Sequence, residues 1–228
     1  MTIELDETFR CAVCGTESAH PVLMSSNMLE SGDLDMRPGE MLRSTLHTEV
    51  QRCPECGFCH ASVSDEVAGS VDVVRSGRYR DILEDESRPG LARWFLCKAM
   101  VDRETGQMAD AAWAAIRAAW ASDDADDRAS ADRARQQALA LMVEASANDQ
   151  TVAGDALSES ALRVDLLRRT GRFREALETL EQTEPPEDNS SIAAVLHYQR
   201  QLVDRRNTEA HKVDDAIAAY PGEEDRAD

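Results

Sequence analysis

Lysine is almost missing from this chain. Only Lys98 and Lys212 stand among 25 basic residues, against 44 acids, for a formal net charge of −19. The acidity runs through both halves. Residues 1–60 hold 10 acids and 4 bases, and the rest hold 34 acids and 21 bases. Neither half matches a phosphate backbone, which counts against nucleic acid as the main partner. Aromatic residues are scarce too, at 4% of the chain. That argues against an aromatic-rich sheet and for helices packed through the alanines and leucines of the second half. No apolar run approaches the ~18 residues a membrane helix needs. The opening Met1-Thr2-Ile3-Glu4-Leu5-Asp6-Glu7 has no basic stretch leading into an apolar one, so no signal peptide is read there. The expected compartment is the reducing cytoplasm, where paired cysteines serve as metal ligands or redox thiols rather than structural disulfides. Hydrophobic residues are 42% of 228, enough for a packed core in one large or two small domains.

What the chain does have is a pair of cysteine knuckles, Cys11-Ala12-Val13-Cys14-Gly15 and Cys53-Pro54-Glu55-Cys56-Gly57. Two C-x-x-C units supply the four thiolates that a tetrahedral Zn²⁺ takes. The trailing glycine suits the positive-φ turn that brings backbone N–H groups round toward the sulfurs. The candidate ligands are therefore Cys11, Cys14, Cys53 and Cys56. Zinc is the expected ion, with iron the alternative that thiolates also hold. Four thiolates leave no corner for a water molecule, so the site reads as structural and the protein as a non-enzyme. A thioredoxin-like dithiol would need its C-x-x-C at a helix start, and Gly15 and Pro54 do not suggest one. Cys59 and His60 follow the second knuckle and could substitute as ligands. With the site already full, Cys59 reads as a partly buried small residue and His60 as a surface one. Cys97 reads as core, and the other histidines show no metal motif.

In chain order, residues 7–10 read as a short strand entering the first knuckle. Leu46, Thr48 and Val50 alternate with polar residues, so 45–52 reads as the strand entering the second. Between them lies the turn-rich Gly32-Asp33-Leu34-Asp35-Met36-Arg37-Pro38-Gly39. Asp33 and Asp35 could hold a cation or act as an acid/base pair. Turn chemistry with Arg37 accounts for them without further assumption. Val67, Val71 and Val74 share one helical face, broken at Ser76-Gly77. From 89 on the periodicity predicts paired helices: 91–101, 108–121, 130–147, and 156–182 divided by Gly171, with Asp155 as its cap. Pro185-Pro186 stops that pair. Further helices carry Ile192, Val195, Leu196, Leu202 and Val203, then Val213, Ala216 and Ile217, the last capped by Thr208. Arg168, Arg169, Arg172 and Arg174 read as a solvated helix end paired with acids. Trp94, Trp113 and Trp120 read as helix-packing core. The helix–glycine–helix at 156–182, opening in Phe173 and continuing Glu175-Ala176-Leu177, resembles a tetratricopeptide repeat.

The order of C-x-x-C-G, an Asp33-Leu34-Asp35-x-Arg37-Pro38 segment, C-P-x-C-G-F at 53–58 and then helices resembles the prokaryotic proteins grouped as domain of unknown function 2225. Ala12 stands where proline is common in that pattern, which leaves the ligands intact. The resemblance implies a zinc-ribbon-like head on a helical body and no established activity. The expectation is a mainly α protein: a small β zinc-ribbon-like domain at 1–62, a helical tetratricopeptide-like domain at 63–220 and a disordered acidic tail at 221–228. Its expected role is that of a zinc-binding scaffold holding a protein or peptide partner on the helical surface. The alternative is a redox or iron-binding protein using the two knuckles.

Overall fold

The computed structural model describes residues 1–184 and 191–220. The expected helix stop at Pro185-Pro186 and the tail at 221–228 lie outside the described residues. Two compact units emerge: Met1–Met28 with Glu40–Val152, and Leu29–Gly39 with the chain from Ala153 on. The expected boundary at 62/63 thus falls inside the first unit. The segment 29–39, expected in the head, belongs with the C-terminal helices.

The first unit opens with an antiparallel hairpin, β1 (Ile3–Arg10) on β2 (Glu17–Ser25), with Arg10 opposite Glu17 and Leu5 opposite Val22. A second, two-residue pairing joins β3 (Gln51–Arg52) to β4 (Cys59–His60). Each hairpin closes through one knuckle. The strand expected at 45–52 is instead a 3₁₀ helix over Leu42–Glu49, followed by β3 alone. Its hydroxyls explain the difference. Thr45 Oγ1 donates to Leu42 O at 2.8 Å and Thr48 Oγ1 to Thr45 O at 2.8 Å, local bonds that compete with a strand ladder.

Beyond β4 come α1 (Ser70–Arg75), α2 (Gly77–Glu84), α3 (Gly90–Glu104), α4 (Met108–Asp124) and α5 (Arg128–Ala147). Ser76 separates the first two and caps α2 by accepting the Tyr79 N–H at 3.3 Å. Helix α4 packs on both α3 and α5, and its buried positions run round the helix, with Ala111, Ala112, Ala115, Ala118 and Ala119 at 0% exposure. A helix apolar all round must be covered on several sides, and alanine lets the neighbouring backbones come close. Asp127 caps α5 through the Ser130 N–H. Val143 of α5 is exposed at 53%.

The second unit holds α6 (Ala156–Arg169), α7 (Phe173–Gln182), α8 (Ser191–Asp204) and α9 (Val213–Ala218). Asp155 caps α6 as expected, accepting the Ser158 N–H at 2.9 Å, and Gly171 makes the α6–α7 turn at φ 74°. Lys212, not Thr208, stands at the N-cap of α9. Leu34, from the early 29–39 segment, packs into the core of this unit with Ala161, Val195, Leu196, Leu202 and Ala216. The fold is mainly α with small N-terminal β hairpins.

Candidate metal centre

The two knuckles have the same backbone wiring. Cys11 N–H donates to Thr16 O at 2.9 Å, and Gly15 N–H donates back to Cys11 O at 2.8 Å. In the second, Cys53 N–H donates to Phe58 O at 2.9 Å and Gly57 N–H to Cys53 O at 3.0 Å. Both glycines sit in the left-handed region, Gly15 at φ 78° and Gly57 at φ 75°. A Cβ at Gly57 would also lie 2.4 Å from Leu83 Cδ2 of α2, so that side chain would have to move. Each glycine has a guanidinium beside it: Arg10 at 3.6 Å from the Gly15 Cβ position and Arg80 at 3.4 Å from that of Gly57. Those cations suit the surplus negative charge of a tetrathiolate around a divalent ion.

The turns bring Cys11, Cys14, Cys53 and Cys56 together, with all four sulfurs within 4.8 Å of one another. The pairs Cys14–Cys53 and Cys11–Cys56 approach to 3.5 and 3.6 Å. All the cysteines are free. A tetrahedron with Zn–S bonds of about 2.3 Å places its sulfurs about 3.8 Å apart, so the cluster fits such an ion. Its thiols are unequal. Burial pushes those of Cys11 and Cys56 up. Burial acts upward on Cys14 as well, but bonds from the Thr16 hydroxyl and N–H, with help from Cys53 and Cys56, bring it down to about 6. A bound divalent cation removes the difference by favouring the thiolate at every ligand.

Helix α2 braces the second knuckle. Tyr79, fully buried, donates its hydroxyl to Gly57 O at 2.9 Å and accepts the Cys59 N–H at 2.9 Å. Cys59 and His60 stand outside the four-sulfur cluster, and neither matches its expected burial. Cys59 is completely buried, and its Sγ lies 3.3 Å from Gly57 O. His60 is not a surface residue. Its Nδ1 lies 2.6 Å from Asp65 and its Nε2 3.2 Å from the buried Asp102, which also takes Lys98 at 2.6 Å. The His60 ring stacks on Phe58 at 5.8 Å. Burial works against its charge, but the Asp102 and Asp65 carboxylates raise its pKa overall. No local pattern announces this arrangement, because Asp102 comes from α3, far along the chain.

Asp33 and Asp35 lie in the second unit and form the expected turn. Met36 N–H donates to Asp33 O at 2.9 Å and Arg37 N–H to Asp35 Oδ1 at 3.3 Å. Asp35, 1% exposed, also meets Arg169 at 3.2 Å. Main-chain bonds tie the segment to the start of α9: Leu34 N–H donates to His211 O, and Val213 N–H to Gly32 O, both at 2.9 Å. Arg168 and Arg169 are less solvated than expected, while Arg172 and Arg174 pair with Glu175 and Glu178 at the surface as expected. Arg168 is fully buried, pairs with Asp165 at 2.6 Å and donates to the carbonyls of Asn207 and Glu209. Trp120 is core as expected, while Trp113 is half-buried and donates to Val152 O at 2.7 Å.

No helix among the described residues is long and apolar enough to cross a membrane. No curated protein and no solved structure matches the chain. Residues 5–205, a span taking in both knuckles, the Asp33-Leu34-Asp35 turn and helices α1 to α8, match the family described as uncharacterized protein conserved in bacteria (DUF2225), and the chain belongs to that family.

Proposed function

We propose that the protein is a zinc-stabilised adaptor without catalytic activity, working in the reducing cytoplasm. The observation that carries this reading is the convergence of four sulfurs from two identically wired knuckles. Four thiolates saturate a tetrahedral ion, leaving no position for water or substrate, so the ion's task is to hold the chain. Which residues would bind it follows directly: Cys11 and Cys14 from the turn after β1, Cys53 and Cys56 from the turn between β3 and β4. The helices, read as tetratricopeptide-like pairs, are the surface proposed to hold a protein or peptide partner.

Elemental analysis and thermal melting test this reading together. One zinc per chain and a colourless solution are expected, with melting temperature and partner capture both falling on chelation. A coloured, reducible iron centre would replace the structural role with a redox one. Metal removal that changes neither melting nor capture would overturn it.

A further inference from the structure

Three exposed apolar side chains of the first unit lie on one hairpin. Ile3 and Leu5 of β1 and Met24 of β2 are 45, 52 and 53% exposed. Leu5 stands opposite Val22, and Ile3 lies two positions earlier on the same face. Every β1 residue but Phe9 is exposed. The sheet has two strands, and β1 makes no backbone bonds beyond those to β2 among the described residues. Its outer edge therefore carries a row of unpaired N–H and C=O groups, the template on which another strand adds. A ribbon of two strands is also marginal by itself, and a third strand stabilises it.

The charge on β1 selects the occupant. It carries Glu4, Asp6 and Glu7, with Arg10 only at its end. Glu4 is engaged by His47 at 3.1 Å. Asp6 and Glu7 are exposed and make no ion pair among the described residues. Pairing with a second copy would set acids against acids on a chain of net charge −19. A strand that alternates apolar residues with Lys or Arg meets both features. Its apolar side chains cover Ile3 and Leu5, and its cations, on the opposite face, answer Asp6. We propose that the β1 edge is a docking site for such an extended cationic segment of a partner protein, added as a third antiparallel or parallel strand. The proposal rests on the adaptor reading and adds a strand-binding edge to its helical surface.

The test titrates the zinc-loaded full chain with an eight-residue peptide alternating Val with Lys and Arg, read by fluorescence anisotropy and amide exchange. Saturable binding is expected, with new protection at residues 3–10. The same peptide N-methylated at alternate residues should bind about tenfold more weakly or worse, because it cannot complete the ladder. Asp6→Asn should weaken binding about threefold while leaving zinc content unchanged. No saturable binding overturns the proposal. So does equal binding of the N-methylated peptide, or concentration-dependent self-association through residues 3–10. Protection confined to the helices also overturns it but leaves the adaptor reading standing. That reading fails separately, by the chelation experiment.

Discussion

Gly15 and Gly57 have the same backbone conformation and different surroundings, which separates two costs of replacing them. Alanine at Gly15 meets only the Arg10 guanidinium at 3.6 Å, so the penalty is the left-handed conformation, about 1 kcal/mol. At Gly57 the same conformation is joined by Leu83 at 2.4 Å, part of a packed helix. Gly57→Ala is expected to lose roughly 2–4 kcal/mol, measured by urea unfolding of the zinc-loaded protein. Equal losses at the two positions would show that Leu83 does not press on the knuckle. The second residue-scale prediction concerns His60. Its folded pKa lies above the ordinary 6.5, with Asp102 and Asp65 as the cause. The imidazolium therefore contributes stability that is fully present below pH 6.5 and is lost as pH rises through the folded value. His20 and His211, lowered by burial, act in the opposite sense. The comparison is therefore wild type against His60→Gln, whose stability difference should shrink as pH rises above 6.5. A difference that does not change with pH would contradict it.

At the scale of elements, the 29–39 segment is the piece with the most consequence for its size. Leu34 is 3% exposed in the second unit's core, and the segment's backbone is bonded to residues 211 and 213. Leu34→Ala is expected to cost about 2–4 kcal/mol and to raise amide exchange in α8 and α9, although its chain neighbours on both sides fold in the first unit. Unchanged exchange there would mean that the segment merely rests on the surface. This long-range role was not legible in the sequence. The Asp and Gly pattern shows a turn, and only the folded chain shows what the turn docks against. The helices were legible because Phe173, Ala176, Leu177 and Leu180 repeat with helical period and Asp155 caps in the expected way. Strand β2 was missed because Pro21 and the polar Ser18 and His20 mask its pattern, and pairing with β1 overrides it. The 3₁₀ helix at Leu42–Glu49 was misread because Leu46, Thr48 and Val50 give the same alternation as a strand. The back-bonding hydroxyls of Thr45 and Thr48 decide the outcome.

For the whole molecule, two knuckles 38 residues apart in the chain converge on one cluster. That convergence was legible because C-x-x-C-G written twice states its own chemistry. The supporting groups were not, since Tyr79, Arg80 and Leu83 reach the second knuckle from a helix about 20 residues on. Binding an ion across the cluster requires every thiol to be deprotonated, so acid should release the metal and unfold the same region in one transition. Following zinc release and circular dichroism down a pH series checks this. Metal loss with no change of structure would separate the ion from the fold. The most direct measurement is X-ray absorption at the zinc edge on the purified protein. Four sulfur neighbours at about 2.3 Å and no oxygen or nitrogen in the first shell are expected. A mixed shell with an oxygen scatterer, or fewer than four sulfurs, would contradict a closed structural centre.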